Sequence, residues 1–218
     1  MQQYQLTFID LALRRAALRF GRFKLKSGRE SPYFFNAGQF SDGESAALLG
    51  RCYAAAITAA GVPFEMLFGP AYKGIPLVTA TAAALWSDHG RSVPYAYNRK
   101  EAKDHGEGGQ LIGAALRERV LIIDDVITAG TAVRESLELI RGAGAQPVGV
   151  ALALDRQERG QGALSAVQEL ESQGLRCVSI VTLADLIEAL AAPQDQRVPI
   201  SDDQLTALQA YRERYGVR

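Results

Sequence analysis

Apolar positions in this chain follow two periods that alternate along its length. Leu6, Ile9, Leu13, Ala16 and Ala17 recur at helical spacing, which predicts an amphipathic helix over residues 3–19. Phe20–Leu25 and Tyr33–Asn36 read as two short strands around the turn signal Ser27-Gly28-Arg29. Ser41 or Asp42 can cap a helix that runs to about Ala60 and is ended by Gly61 and Pro63. Phe64–Phe68 is a short apolar strand leading into Gly69-Pro70-Ala71-Tyr72-Lys73-Gly74, a helix fills roughly 75–88, and Tyr95–Asn98 is a strand. Residues 99–113 have no apolar period and hold four glycines. The run Val120-Leu121-Ile122-Ile123 suits a strand buried on both faces, and a helical pattern follows it at Val133, Leu137 and Ile140. Beyond it come a strand at Val148–Leu154, a helix near 163–172, a strand at Cys177–Val181 and a helix opened by Thr182 that reaches about Ala191. Ser201 with Gln204 makes a capping box for a last helix.

Strands alternating with helices predict an α/β fold whose mostly parallel sheet is covered on both faces. Ligands then belong at the carboxyl ends of the strands. Tyr72-Lys73, Arg99-Lys100, Asp124-Asp125 and Asp155-Arg156 all fall at such ends. With 218 residues, 48% of them hydrophobic, the chain suits one domain with a sizeable core. Its 24 basic and 24 acidic side chains cancel, which argues against general attraction to nucleic acid or membranes. Residues 11–29 nevertheless carry Arg14, Arg15, Arg19, Arg22, Lys24, Lys26 and Arg29 with no acid among them, as a solvated helix face and a basic turn would. Cys52 and Cys177 are far apart and form no C-x-x-C, so reduced, packed thiols are expected. The first residues have no signal-peptide pattern, and the most apolar window, Ile75–Trp86, is too short to span a bilayer. A soluble, cytoplasmic protein is the expectation.

Candidate chemistry concentrates where the buried strand stops, at Asp124-Asp125-Val126-Ile127-Thr128-Ala129-Gly130-Thr131-Ala132. Backbone N–H groups at a tight turn and a helix N-terminus can grip a phosphate, aided by the helix dipole. Gly130 lets the backbone come close, the threonine hydroxyls add donors, and the carboxylates can accept hydrogen bonds from vicinal ribose hydroxyls. The plain alternative is an ordinary turn with Thr131 as N-cap. Two consecutive acids beside four apolar residues weigh against it, because burying them unpaired is costly. No G-x-x-x-x-G-K-[ST] occurs, and Gly142-Ala143-Gly144 lacks a third glycine, which excludes the commoner nucleotide-binding loops.

Asp124–Thr131 resembles the signature of the type I phosphoribosyltransferases, which bind 5-phosphoribosyl 1-diphosphate (PRPP). Two further stretches, Asn98–Gly109 and Leu25–Asn36, are similar to those of the orotate phosphoribosyltransferases of bacterial and yeast type. The resemblance runs from about Tyr4 to Leu190 and implies a small hood of about residues 1–62 packed on an α/β core of 63–192; the helical tail of 193–218 lies outside it. It implies that Lys103 is the main catalytic residue on a loop, 99–109, that closes over the neighbouring subunit of a homodimer. Arg99, Lys100 and His105 would hold the leaving diphosphate with it, and Lys26, Tyr72 and Lys73 would contact PRPP. Residues 124–132 would take the ribose and its 5-phosphate. Phe34, Phe35, Thr128 and Arg156 would meet orotate. Mg²⁺ is the implied cofactor, held mainly by PRPP oxygens and water. The readings left open are transfer to another base, against which Phe34-Phe35, the Lys103 loop and Arg156 weigh, and a non-catalytic PRPP-sensing regulator.

Overall fold

The computed structural model describes residues 1–25, 28–103, 109–127, 130–160, 162–191 and 200–217, without the side chains of 102, 103 and 109. Helix α1 (Gln3–Arg14) buries Phe8, Ile9, Leu11, Ala12 and Leu13. It stops at Arg14, short of the expected residue 19, because Ala16 takes a left-handed φ of 53°. Ala17 and Leu18 are buried instead where strand β1 (Leu18–Lys24) begins. Apolar residues at 13, 16 and 17 satisfy the helical period, so the pattern alone could not place the break. Strand β1 pairs antiparallel with β2 (Glu30–Phe35), matching Leu18 to Phe35 and Phe20 to Tyr33, with a bulge between Phe20 and Phe23. A short 3-10 turn (Ala37–Gln39) leads to α2 (Gly43–Ala60). Asp42 caps α2 by accepting the Ser45 N–H at 2.8 Å, and Gly61 ends it in the left-handed region.

The main sheet is built from β3 (Met66–Gly69), β4 (Tyr95–Lys103), β5 (Gly109–Gly113), β6 (Arg119–Asp124), β7 (Gln146–Asp155) and β8 (Arg176–Thr182), in the order β5-β4-β3-β6-β7-β8. Every neighbouring pair is parallel except the β4–β5 edge. Helices α3 (Gly74–His89), α4 (Thr131–Gly142), α5 (Ala166–Ser172), α6 (Leu183–Ala191) and α7 (Asp202–Tyr215) complete the fold. Strand alternation divides the core into two apolar clusters. Leu67, Leu121, Ile123, Ala151 and Ala153 face one way, onto Phe8, Tyr53, Ile57, Leu85 and Leu186. Met66, Phe68, Val120, Ile122, Val150 and Leu152 face the other way, onto Val133, Leu137, Ile140 and Leu170.

Residues 99–113, which carry no period in the sequence, belong largely to the two antiparallel arms β4 and β5. Lys100, Glu101 and Gln110 are exposed and Arg99, Leu111 and Ile112 only half-buried, so neither face of the arms selects apolar residues. No helix among the described residues is long and apolar enough to cross a membrane. Both cysteines are free thiols.

Candidate active site

Strand β6 delivers its two carboxylates, 7% and 4% exposed, to the carboxyl end of the sheet. Local backbone donors satisfy part of their demand. The Asp125 N–H donates to Asp124 Oδ1 at 2.9 Å and the Val126 N–H to Asp125 Oδ1 at 2.8 Å. The Tyr53 hydroxyl donates to the Asp124 carbonyl at 2.7 Å, and the Ala153 N–H to the Asp125 carbonyl at 2.9 Å, which fixes the strand end on the neighbours beneath it. Lys73 Nζ pairs with Asp125 Oδ2 at 2.5 Å. Among the described residues one cation thus faces two buried acids. Burial first, and then the charge of Asp125, push the Asp124 carboxyl up to about 7. A pair short of one counter-charge is a receptor for hydroxyl donors or cationic groups.

Lys73 comes from the turn between β3 and α3. That turn is tight because Gly69 and Gly74 touch: a Cβ on Gly69 would stand 2.3 Å from the Gly74 carbonyl oxygen, and one on Gly74 2.5 Å from Pro70 Cδ. The Ala71–Tyr72 peptide is cis, and the Ala71 N–H donates to Asn98 Oδ1 at 2.9 Å, so the middle of β4 holds the turn in place. Tyr72 is 65% exposed, with Lys100 Nζ 5.1 Å from its ring centre. Tyr72, Lys73, Lys100, Asp124 and Asp125 are therefore brought to one edge. The parts played by Asn98 and Tyr53 were not legible beforehand, because their contacts depend on tertiary packing.

Two helix N-termini at this edge have no side-chain cap. Asp42, Ser165 and Ser201 cap α2, α5 and α7 with their side chains. Neither Lys73 at the start of α3 nor Gly130 at the start of α4 provides a side-chain cap, and neither helix has an acid in its first turn. Gly130 itself stands in the N-cap position with φ 69°, and Thr131 is the first helical residue instead of the cap. At α3 the Gly74 N–H is taken by the Pro70 carbonyl at 2.8 Å, whereas the α4 start, without a side-chain cap or an acid at its positive dipole end, suits a phosphate. Val126 and Ile127 anchor the preceding segment by packing against opposite apolar clusters, while Thr131 and Ala132 are exposed.

A second cation is set behind β2. Arg156, 8% exposed, bonds Glu158 Oε1 through Nε at 2.8 Å and Nη2 at 2.6 Å, and Ser31 Oγ through Nη2 at 3.3 Å. The Tyr33 ring covers it with Cζ 4.4 Å from the ring centre. Phe34 and Phe35 part company here, as neighbours on a strand must. Phe35 packs into the core against Phe8 and Phe40, with ring centres 6.0 and 6.2 Å away, which leaves only its backbone to face a ligand. Phe34 stacks on Phe23 at 5.5 Å on the other face, under the Arg19 guanidinium. Among the remaining candidates, Lys26, His105, Thr128, Ala129 and the Lys103 side chain lie outside the described residues.

Among the described residues no group of three or more His, Cys, Asp or Glu side chains is gathered to hold a metal ion. Two clefts elsewhere, of about 260 Å³ beside Asp155, Glu171 and Cys177 and about 630 Å³ along residues 92–97 and 112–117, contain none of the candidate residues.

Residues 42–162 match the family model of the phosphoribosyl transferase domain. The orotate phosphoribosyltransferase of Thioalkalivibrio sulfidiphilus is 59% identical over 218 residues, covering all of both chains. The crystal structure of orotate phosphoribosyltransferase from Francisella tularensis superposes with a TM-score of 0.84 at 38% identity, over 96% of this chain and 98% of that one. The Mycobacterium tuberculosis orotate phosphoribosyltransferase in complex with 5-phospho-α-D-ribosyl 1-diphosphate superposes with a TM-score of 0.61 at 27% identity, over 83% of this chain and 98% of that one.

Proposed function

Because the chain belongs to the phosphoribosyl transferase family, among its orotate phosphoribosyltransferases, we propose that it transfers the ribose 5-phosphate group of PRPP to orotate. The products are orotidine 5′-monophosphate and diphosphate, a step of pyrimidine nucleotide synthesis. The observation that carries the reading is the buried Asp124-Asp125 pair with its one paired lysine, next to the uncapped start of α4.

In this reaction the bond from ribose C1 to the diphosphate oxygen breaks, and C1 bonds a ring nitrogen of orotate, which gives up its proton. Positive charge develops on the ribose and negative charge on the leaving diphosphate. Asp124 and Asp125 accept the ribose 2- and 3-hydroxyls and face the ring as it becomes cationic. The α4 N-terminus, with residues 126–132, takes the 5-phosphate. Tyr72, Lys73, Arg99 and Lys100 meet the diphosphate, joined by Lys26, Lys103 and His105. Lys103 is the principal catalytic residue, neutralising or protonating the leaving oxygen, and its loop excludes water as competing nucleophile. Arg156 meets the orotate carboxylate, and the β2 backbone at Phe34-Phe35, with Thr128, meets the ring.

The donor set fits Mg²⁺ held through ligand oxygens and water, since the chain offers two adjacent acids, one already paired with Lys73. Bound in that way, the ion supplies charge neutralisation at the diphosphate. We place the protein in the cytoplasm, as a homodimer in which the 99–109 loop serves the partner's site. Loss of the near-ultraviolet absorbance of orotate on adding PRPP and Mg²⁺ tests the activity, and persistence of that absorbance would refute it.

A further inference from the structure

Groups that the sequence scatters widely hold the Arg156 guanidinium from behind. Glu158 and Ser31 occupy its Nε and Nη2, while Nη1 has no hydrogen-bond partner among the described residues. Helix α7 closes the back of this set. Tyr211 stands edge-on to Tyr33 with ring centres 6.1 Å apart, and is 5% exposed. Its hydroxyl has Glu158 and Arg156 as electrostatic neighbours, yet it is buried without a hydrogen bond of ordinary geometry to either. The Tyr33 hydroxyl reaches Glu158 only at a long 3.4 Å. The chain just past Tyr211 is clamped to the Arg156 loop, the Arg159 N–H donating to the Tyr215 carbonyl and the Val217 N–H to the Gln157 carbonyl, both at 2.9 Å. A buried hydroxyl without a partner costs stability, and such a group asks for a state in which it is used.

We infer that the Tyr211 hydroxyl is a positioning group for the base, donating to Glu158 when a ligand carboxylate draws on Arg156. The inference rests on the reading above, in which Arg156 meets the carboxylate of orotate. Without ligand, one guanidinium serves one carboxylate, that of Glu158, whose side chain is 13% exposed. A second carboxylate at Nη1 divides the positive charge between two anions. Glu158 then loses part of its compensation in a place where water cannot replace it. A donor already buried beside it restores the balance at little cost in ordering, because packing against Tyr33 holds the ring in place. Helix α7 thereby favours a base that carries a carboxylate over one that lacks it.

Tyr211→Phe removes only the hydroxyl. The expected result is an orotate KM raised about tenfold, the scale of one hydrogen bond to a charged group, with kcat and the PRPP KM close to those of the parent and a Tm equal to or above it. Calorimetry should show weaker binding of orotidine 5′-monophosphate and unchanged binding of uridine 5′-monophosphate, the same nucleotide without the carboxylate. Arg156→Gln, measured alongside, separates the two ideas. If it raises the orotate KM while Tyr211→Phe does not, the hydroxyl has no such role and the reading of Arg156 stands. If neither variant changes it, that reading fails and the inference fails with it. Equal losses toward orotate and PRPP, with a lowered Tm, would reduce Tyr211 to packing and overturn the proposal.

Discussion

A carboxyl group that holds its proton to neutrality ties the stability of the fold to pH. Asp124 is ordinarily ionised above 3.8, and in the folded chain burial and its neighbour Asp125 raise that value to about 7. Between those values the native state binds more protons than the unfolded chain. The resulting contribution to stability is present in full below about pH 3.8 and is lost as pH rises through about 7. Asp124→Asn keeps an oxygen for the Asp125 N–H and removes the charge. The variant should therefore exceed the parent in stability above neutrality by roughly 2–4 kcal/mol, and the gap should close by about pH 4. Urea midpoints of both proteins across that range check the sign. A gap that does not change with pH would mean that burial does not retain the proton. Turnover should fall in the same variant if, as proposed, the charge removed is one that meets the ribose.

The β1–β2 ribbon separates two phenylalanines by a single step of the pleat. Phe35 is 7% exposed and fills the core between Phe8 and Phe40, whereas Phe34 lies half-buried on the outer face. Phe35→Ala should cost about 3–5 kcal/mol, as a large core truncation does, and Phe34→Ala about 1 kcal/mol or less. Equal losses in urea unfolding would contradict the assignment of faces. Elements of this kind were legible in proportion to how fully they are buried or capped. Strand β6 was readable because both its faces are covered, and α2, α6 and α7 because Asp42, Thr182 and Ser201 sit at their starts. The end of α1 was not readable, since the same apolar residues suit a helix and a strand. The β4–β5 arms beyond Asn98 bury neither face among the described side chains and leave no period. At the site, the acid pair and the glycine-led start of α4 were visible as contiguous sequence. The setting of Arg156 was not, because its partners stand at positions 31, 33, 158 and 211 and meet only after folding.

At the scale of the whole molecule, the most telling feature is a strand that outruns its sheet. Strand β4 last pairs with β3 at Tyr97 yet continues to Lys103, with Lys103 opposite Gly109 on β5. At about 3.3 Å per residue the arm reaches roughly 20 Å beyond its neighbour. Lys103, the lysine we propose for the leaving diphosphate, is thus borne on an arm that runs past the sheet carrying Asp124 and Asp125, as suits a loop that serves a second subunit. Lys103→Ala should reduce turnover by about two to four orders of magnitude. Asp124→Asn with Asp125→Asn should disable a subunit from the other side. Mixed dimers of the two variants have one site with intact acids that receives an intact loop, and one site lacking both. Activity should therefore reappear on mixing, from one of the two sites of each mixed dimer. Titrating one variant against the other checks the proportion, with a maximum at equal amounts. If mixing restores nothing although mixed dimers form, the loop acts on its own subunit, and the reach of β4 serves closure within one chain.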